Sequence, residues 1–315
     1  MSTRVRLFHG DNLAVARRLV DEGVALDLLY VDPPFGVGAA HGARTRAGEA
    51  RAARTSVAYD DAWNGIDRFL ESLTPRLVLF RALLSARGTL YVHLDHRAVH
   101  ETKVACDHVF GRGAFRGEII WTPGNGARLR KRWGATHQTI LVYTRDDRES
   151  PTDPRWIFHG DDDALREPYA DTSSSRHFKR RGDGDDAPRV RERTVMLKTG
   201  PKTYRYDHAR GRRLGTVWTD APAMAANTPL SRETTGYPHQ KPEKLLERVI
   251  RASSDEGSMV SDLFCGSGTT LAVAARLGRP AIGCDASALA IETTRARLVA
   301  SGVEVEIERA IDVEQ

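Results

Sequence analysis

Short apolar runs alternate with amphipathic stretches along this chain, the pattern of strands separated by helices. Residues 5–8 and 26–31 are compact apolar runs that suit buried strands. Over residues 66–85, Ile66, Phe69, Leu70, Leu73, Leu77, Phe80 and Leu84 recur at helical spacing, predicting a helix whose stripe is core and which Gly88 ends. Thr89-Leu90-Tyr91-Val92-His93-Leu94 reads as the next strand, and residues 97–110 as a helix stopped by Gly111. Glu118-Ile119-Ile120-Trp121 and Thr139-Ile140-Leu141-Val142-Tyr143 predict two further strands. Near the other end, residues 259–263 form a short apolar strand, followed by a glycine turn and a helical run from Leu271 to Leu277 that Gly278 stops. This alternation implies an α/β fold: a mostly parallel sheet covered by helices on both faces, with one antiparallel strand at its edge from the hairpin. Ligands of such sheets sit at the carboxyl edge of the strands.

Residues 156–234 break the alternation and read as an insertion, leaving 1–155 and 235–315 as the main domain. The net charge of +5 is modest, but its location is informative: residues 176–213 carry thirteen Lys or Arg against five Asp or Glu, a local balance of +8. Arg176, Lys179, Arg180 and Arg181 lie there with His177, Phe178, Tyr204 and Tyr206 interleaved, the composition of a surface that follows phosphates and reaches base edges. A second basic cluster, Arg128, Arg130, Lys131 and Arg132, joins the two hairpin strands. Residues 36–58, rich in Gly, Ala and Arg, are read as either a segment closing over a polyanion or a disordered loop. No apolar stretch approaches the ~20 residues needed to cross a bilayer, and Met1-Ser2-Thr3-Arg4-Val5-Arg6 carries no signal-type run, so the expected location is cytoplasmic. Cys106, Cys265 and Cys284 are far apart, with no metal-ligand spacing; they are read as packing residues and no metal is expected.

The chemistry concentrates in two places. Asp32-Pro33-Pro34-Phe35 follows the apolar run at 26–31, and neither proline can donate a backbone hydrogen bond, so the turn is stiff and rich in acceptors. The Asp32 carboxylate and the Pro33 carbonyl can both accept from one planar amine while Phe35 stacks on the ring that bears it. An exocyclic amine of a nucleobase fits that description. The second place is Asp262-Leu263-Phe264-Cys265-Gly266-Ser267-Gly268-Thr269-Thr270, a strand end, glycine loop and helix start suited to an adenosine-containing cofactor. Leu271 stands where a dinucleotide fingerprint has its third glycine, which argues against a pyrophosphate cofactor and a nicotinamide oxidoreductase. Asp285 follows Gly266 by 19 positions, near the spacing at which an acid reaches a ribose hydroxyl; the alternative is an N-cap for the helix that begins near Ser287.

Together these segments resemble the amino-group DNA methyltransferases that use S-adenosylmethionine, in the arrangement with the catalytic motif first and the cofactor motif last. Asp32-Pro33-Pro34-Phe35 is similar to their catalytic motif and residues 262–270 to their methionine-binding loop. Residues 236–248, with His239, Lys241 and Pro242, resemble the segment that covers the cofactor from the other side, and Phe8-His9-Gly10-Asp11-Asn12 resembles the opening strand and turn. Leu263 departs from the proline common at its place, and Cys265 from a small non-thiol residue. The resemblance implies a Rossmann-like methyltransferase sheet with the insertion as target-recognition region. It implies cofactor contacts from Asp11, Asn12, Asp32, His239, Lys241, Pro242, Asp262, Phe264, Gly266, Ser267, Gly268, Thr269, Thr270 and Asp285. It further implies direct methyl transfer to an amine of a base flipped from double-stranded DNA. An aspartate opening the catalytic motif points in that family to adenine N6; cytosine N4 and a catalytically inactive nucleic-acid-binding relative are the alternatives. A cognate restriction endonuclease would be a separate chain, and relatives of this arrangement often form homodimers.

Overall fold

The computed structural model describes residues 4–34, 41–43, 56–59, 65–124, 131, 133–146, 155–169, 190–207, 209–222 and 233–310, with backbone alone at 41–43, 56–59, 190–191 and 204–206. They fall into two compact units, Met1–Phe158 with Thr216–Gln315, and His159–Gly215. The first contains β1 (Arg4–His9), α1 (Asn12–Asp21), β2 (Leu26–Val31), α2 (Ile66–Leu83), β3 (Leu84–Leu94), α3 (Val99–Phe110), β4 (Phe115–Trp121), β5 (Gln138–Thr144) and β6 (Val217–Trp218). It continues with α4 (Glu243–Ser253), β7 (Val260–Asp262), α5 (Thr269–Arg276), β8 (Ala281–Asp285), α6 (Ala288–Ala300) and β9 (Glu304–Arg309).

The nine strands form one sheet in the order β6-β4-β5-β3-β2-β7-β8-β1-β9. Every neighbouring pair is parallel except those made by β5, which runs antiparallel to both β3 and β4. The expected antiparallel strand is therefore present but lies third from the margin instead of at the edge. It pairs on both sides, with β3 and β4, and β6 extends the sheet beyond β4: Ile120 donates its N–H to the Thr216 carbonyl at 2.8 Å and Thr122 to that of Trp218 at 2.9 Å. Two residues are too few to show strand alternation in sequence; Val217 and Trp218 thereby join the main sheet, and the second unit occupies only 159–215 of the expected insertion.

Strand β2 is buried at Leu26, Leu28, Leu29, Tyr30 and Val31, as a central parallel strand covered on both faces must be. Against one face packs α2, whose Phe69, Leu73, Leu77, Phe80 and Leu83 form the predicted stripe. Pro75 removes one internal hydrogen bond from that helix, and the helix continues through it because the buried stripe runs on either side. The helix ends at Leu83, before the expected boundary, and Gly88 lies inside β3.

Strands β2 and β7, more than two hundred residues apart, are neighbours with Tyr30 opposite Asp262. The turn after Val31 and the glycine loop after Asp262 therefore leave the same carboxyl edge side by side. Leu271, in the place of a third fingerprint glycine, is fully buried on α5 and packs where a Cβ at Gly283 of β8 would lie 2.3 Å from its Cδ1. The close helix-to-strand approach that such a glycine normally permits is here permitted by Gly283 on the partner strand.

In the second unit, a β-ribbon pairs Val190–Leu197 with Gly200–Asp207, and the hydroxyls of Thr194 and Thr203 hydrogen-bond across it at 2.8 Å. Asp161 holds Arg213 through Nε and Nη2, each at 2.9 Å, and also Arg166 at 3.0 Å.

Gly283→Ala should lower unfolding free energy by about 1–3 kcal/mol through overpacking against Leu271. The double variant with Leu271→Ala should be less destabilised than the two single effects added together, as measured by urea unfolding. Additive losses would remove the contact from the account of this fold.

Candidate active site

A cavity of about 600 Å³ opens at the carboxyl edge where β2 and β7 meet. Asp32, Pro33 and Pro34 form one wall, and the loop after β7 forms another with Leu263, Phe264, Cys265, Gly266 and Ser267. Thr269, Thr270 and Asp285 line it beyond that loop, and residues 237–241 cover it from the segment before α4.

The glycine loop is held by side chains around it. Gly268 has φ +73°, and a Cβ there would lie 2.6 Å from the Thr294 hydroxyl on α6, so position 268 tolerates neither the conformation nor the bulk of a larger residue. The Thr294 hydroxyl donates to the Gly266 carbonyl at 3.0 Å. Asp285 accepts from the backbone N–H of Gly266 through Oδ2 and from that of Ser287 through Oδ1, both at 2.9 Å. The N-cap of α6 is Ser287, which accepts from Ala290 N–H, so Asp285 is not that cap. Its carboxylate joins the loop to the end of β8, and burial raises its pKa.

Asp262 is only 3% exposed. It accepts from the Thr270 hydroxyl at 2.6 Å and from Phe264 N–H at 3.0 Å. Burial, opposed by those two bonds and reinforced by the charges of Asp32 and Asp285, raises its pKa to about 7. Asp262 and Asp285 thus share the cavity with Asp32, and Asp11 and Asp95 line it as well.

The cation paired with Asp32 is Lys241, whose ammonium forms an ion pair with its Oδ2. Their side chains are 9% and 18% exposed, so the pair is largely withdrawn from water. The other oxygen, Oδ1, is buried with no hydrogen-bond partner among the described residues. A carboxylate with one oxygen claimed and one vacant is an acceptor waiting for a donor. Nothing in the sequence joins Lys241 to Asp32; only the meeting of β2 with the segment before α4 does.

Of the residues read from the sequence, Asp11, Asn12, Asp32, Pro33, Pro34, His239, Lys241, Asp262, Phe264, Gly266, Ser267, Thr269, Thr270 and Asp285 line this single cavity. Pro242 and Gly268 do not line it: Pro242 is the N-cap residue of α4 and Gly268 that of α5. Asn12 is spent on the scaffold, donating to the Leu263 carbonyl at 2.8 Å and accepting from Arg76 at 2.6 Å. Asp11 caps α1 and also accepts from Arg76. Phe35, Arg128, Arg130, Arg132, Arg176, Lys179, Arg180 and Arg181 lie outside the described residues. Lys131 is exposed. Residues 36–40 and 44–55 also fall outside them, so the reading of a closing segment there goes no further.

The cavity also holds Tyr30, Arg76 and Gln138, which sequence reading missed, and Tyr237, which lies in the covering segment 236–248 but was not singled out. Tyr30 sits inside a predicted strand and Gln138 immediately before one, positions where a polar atom is ordinary. All three cysteines are buried, and burial pushes the Cys106 thiol up to about 12 and the other two up as well, which leaves no reactive thiolate. No cluster of three metal-binding side chains occurs among the described residues, and none of their helices is long and apolar enough to cross a membrane.

Comparison with known proteins agrees with this arrangement. The family model described as DNA methylase (N6_N4_Mtase) matches residues 26–295. The chain is 28% identical over 280 residues to the DNA adenine methyltransferase YhdJ of Escherichia coli strain K12, covering 89% of this chain and 77% of that protein. Among solved structures it is similar to the M1.HpyAVI–SAM complex, with a TM-score of 0.55 at 15% identity, covering 93% of this chain and 98% of the other. It is also similar to the PvuII DNA methyltransferase described as cytosine-N4-specific, with a TM-score of 0.54 at 14% identity, covering 97% and 96%. At those identities the two structures bear on the fold alone.

Removing Lys241 leaves the Asp32 charge buried and uncompensated, so Lys241→Ala should cost about 3 kcal/mol of stability. Asp32→Asn added to it should recover much of that loss. Urea unfolding of the two singles and the double gives the coupling, and a coupling near zero would mean that the pair contributes nothing to the fold.

Proposed function

The chain belongs to the N6/N4 DNA methylase family, and we propose that it transfers the methyl group of S-adenosylmethionine to the N6 amino group of adenine in double-stranded DNA. The observation that carries this reading is the vacant, buried Oδ1 of Asp32 at a stiff turn in the cavity described above. A buried acceptor without a donor is costly, and an amine hydrogen of a flipped base removes that cost only when the base is in place.

The residues around the glycine loop fit the cofactor. Asp285 stands at the end of β8, where an acid reaches ribose hydroxyls, and Asp262 offers a carboxylate to the ammonium of the methionine moiety. Phe264 and Tyr237 give the cavity apolar wall area for an adenine ring. When bound, S-adenosylmethionine supplies an electrophilic methyl group on a sulfonium. Asp32 and the Pro33 carbonyl hold the two hydrogens of the target amine, which draws the nitrogen towards pyramidal geometry and turns its lone pair out of the ring plane. As the nitrogen gains positive charge, the Asp32 carboxylate lies beside it, and the fixed turn contributes orientation without reorganisation. Lys241 holds Oδ2, so the carboxylate presents one defined oxygen.

Adenine is favoured by the aspartate that opens the motif and by the likeness to a relative named as an adenine methyltransferase. The second unit, with the basic stretch 176–213 that spans it, is assigned the reading of target DNA. A restriction endonuclease acting with this enzyme would be a separate chain.

Nucleoside analysis of DNA treated with the protein and S-adenosylmethionine should show N6-methyladenine. N4-methylcytosine in its place would move the assignment to cytosine. Asp32→Ala should lower turnover by at least about a thousandfold while calorimetry still detects the cofactor; wild-type turnover would remove Asp32 from the chemistry.

Cofactor binding should also depend on pH. A cationic ligand beside Asp262 favours its ionised form, so binding below pH 7 must release the proton held by that carboxyl. Affinity should weaken by up to tenfold per unit as pH falls below about 7, with proton uptake or release read by calorimetry in buffers of different ionisation enthalpy. Asp262→Asn should flatten the profile, and an unchanged slope in that variant would assign the titration elsewhere.

A further inference from the structure

Behind the wall that carries Asp32 lies a polar chain that the proposed chemistry does not use. Tyr30 on β2, His93 on β3 and Gln138 at the start of β5 are linked across three adjacent strands. The Tyr30 hydroxyl lies 2.6 Å from Nδ1 of His93, and Nε2 of His93 lies 2.7 Å from Oε1 of Gln138. His93 is fully buried, and the Trp121 ring meets it edge-on with centroids 5.4 Å apart. Tyr30 and Gln138 both line the cavity that holds Asp32 and Pro33.

Proton counting orients this chain. The Tyr30 hydroxyl has no other hydrogen bond among the described residues, so its one proton goes to Nδ1 of His93. A neutral imidazole that accepts at Nδ1 carries its own hydrogen on Nε2 and donates it, so the group of Gln138 that faces it is the carbonyl. The side-chain NH2 of Gln138 then points the other way, and it has no partner among the described residues. The histidine thus fixes which end of the amide the cavity receives.

We propose that Gln138 reads the target base by donating its side-chain NH2 to the ring nitrogen adjacent to the reacting amine. This rests on the amine-methylation reading above. Adenine and cytosine share an edge on which an amino group lies beside a ring nitrogen with a free lone pair, N1 in adenine and N3 in cytosine. An acceptor from Asp32 and a donor from Gln138 complement that edge. Guanine and thymine present a carbonyl beside a ring N–H, which would set oxygen against the Asp32 carboxylate and N–H against N–H at Gln138. Gln138 thereby excludes keto bases and leaves the choice between adenine and cytosine to the shape of the pocket.

The test uses the full chain and a duplex carrying its target sequence, mapped by long-read sequencing of methylated DNA. Without cofactor, fluorescence anisotropy compares the duplex with its 1-deazaadenine counterpart, in which the N1 acceptor is a C–H. Wild type should lose about five- to tenfold in affinity on that exchange, the size of one neutral hydrogen bond. Gln138→Ala should bind both duplexes alike with unchanged cofactor affinity, and its melting temperature should fall because the buried His93 Nε2–H loses its acceptor. Gln138→Glu adds a readout that a purely structural role would not move. Only its protonated carboxyl can donate, so its methylation rate relative to wild type should rise about tenfold for each unit that pH falls towards the range of a glutamic acid. Equal activity of Gln138→Ala and wild type, or a 1-deazaadenine penalty that persists in Gln138→Ala, overturns the assignment alone. A wild-type protein that methylates no DNA overturns the proposed function and this assignment with it.

Discussion

The ion pair of Lys241 with Asp32 is the constraint around which the first unit is arranged. Asp32 leaves β2 in the first tenth of the chain, and Lys241 stands 209 residues later, just before α4. The two meet only because β7, which follows α4, takes its place beside β2. Desolvating an ammonium and a carboxylate costs several kcal/mol each, and their attraction offsets this only when both are in place. The pair therefore favours the one strand order that unites the two halves of the cavity. It also breaks the symmetry of the carboxylate: Oδ2 has a partner, Oδ1 has none, and that difference is what makes Asp32 a site and not merely a buried acid.

Much of this was legible in the sequence. The alternating runs specified helices and strands because each buries one face, and parallel strands buried on both faces read as continuous apolar stretches, as at 26–31. Asp32-Pro33-Pro34 and the loop at 262–270 stood out because their backbone chemistry is unusual at a strand end. Three things were hidden, each for a physical reason. Strand β6 is two residues long and exists only through pairing with β4. The Lys241–Asp32 contact is a product of topology and has no local signature. Tyr30, His93 and Gln138 occupy strand positions whose polar atoms are satisfied across the sheet, so in sequence they resemble any polar residue in a strand. Leu271 was read correctly as a departure from the dinucleotide pattern, but its compensation by Gly283 could be seen only once the two elements were packed.

The cavity is acidic in a graded way. Asp32 is compensated by a lysine, Asp285 accepts two backbone N–H groups, and Asp262 accepts one backbone N–H and one hydroxyl with no cation acting on it among the described residues. Asp262 is the group pushed to about 7, because burial acts on it with the least help and two neighbouring carboxylates add to the penalty. A ligand bearing positive charge supplies what Asp262 lacks, so the same imbalance that weakens the empty site selects a cation for it. This is selection by a missing charge, and it requires no residue beyond those already there.

The histidine behind the wall has the opposite problem. Burial first, and then the nearby Lys241, lower the pKa of His93 from its ordinary 6.5 to about 3. It stays neutral while Asp262 titrates, so its tautomer, and with it the direction of the Gln138 amide, holds constant across the pH range in which the cofactor site changes. The cost appears in stability. In the unfolded chain this histidine takes up a proton near 6.5 and in the folded chain it does not, so its contribution is fully present above that pH and is lost progressively as pH falls towards 3. Folding therefore gains nothing from acid at His93, whereas Asp262, whose folded-state pKa is raised, favours the folded chain most in acid and loses that advantage as pH rises through 7. The two groups oppose one another in stability while serving different parts of one site. That opposition follows from placing an imidazole beside a lysine and a carboxyl beside two others in the same low-dielectric wall.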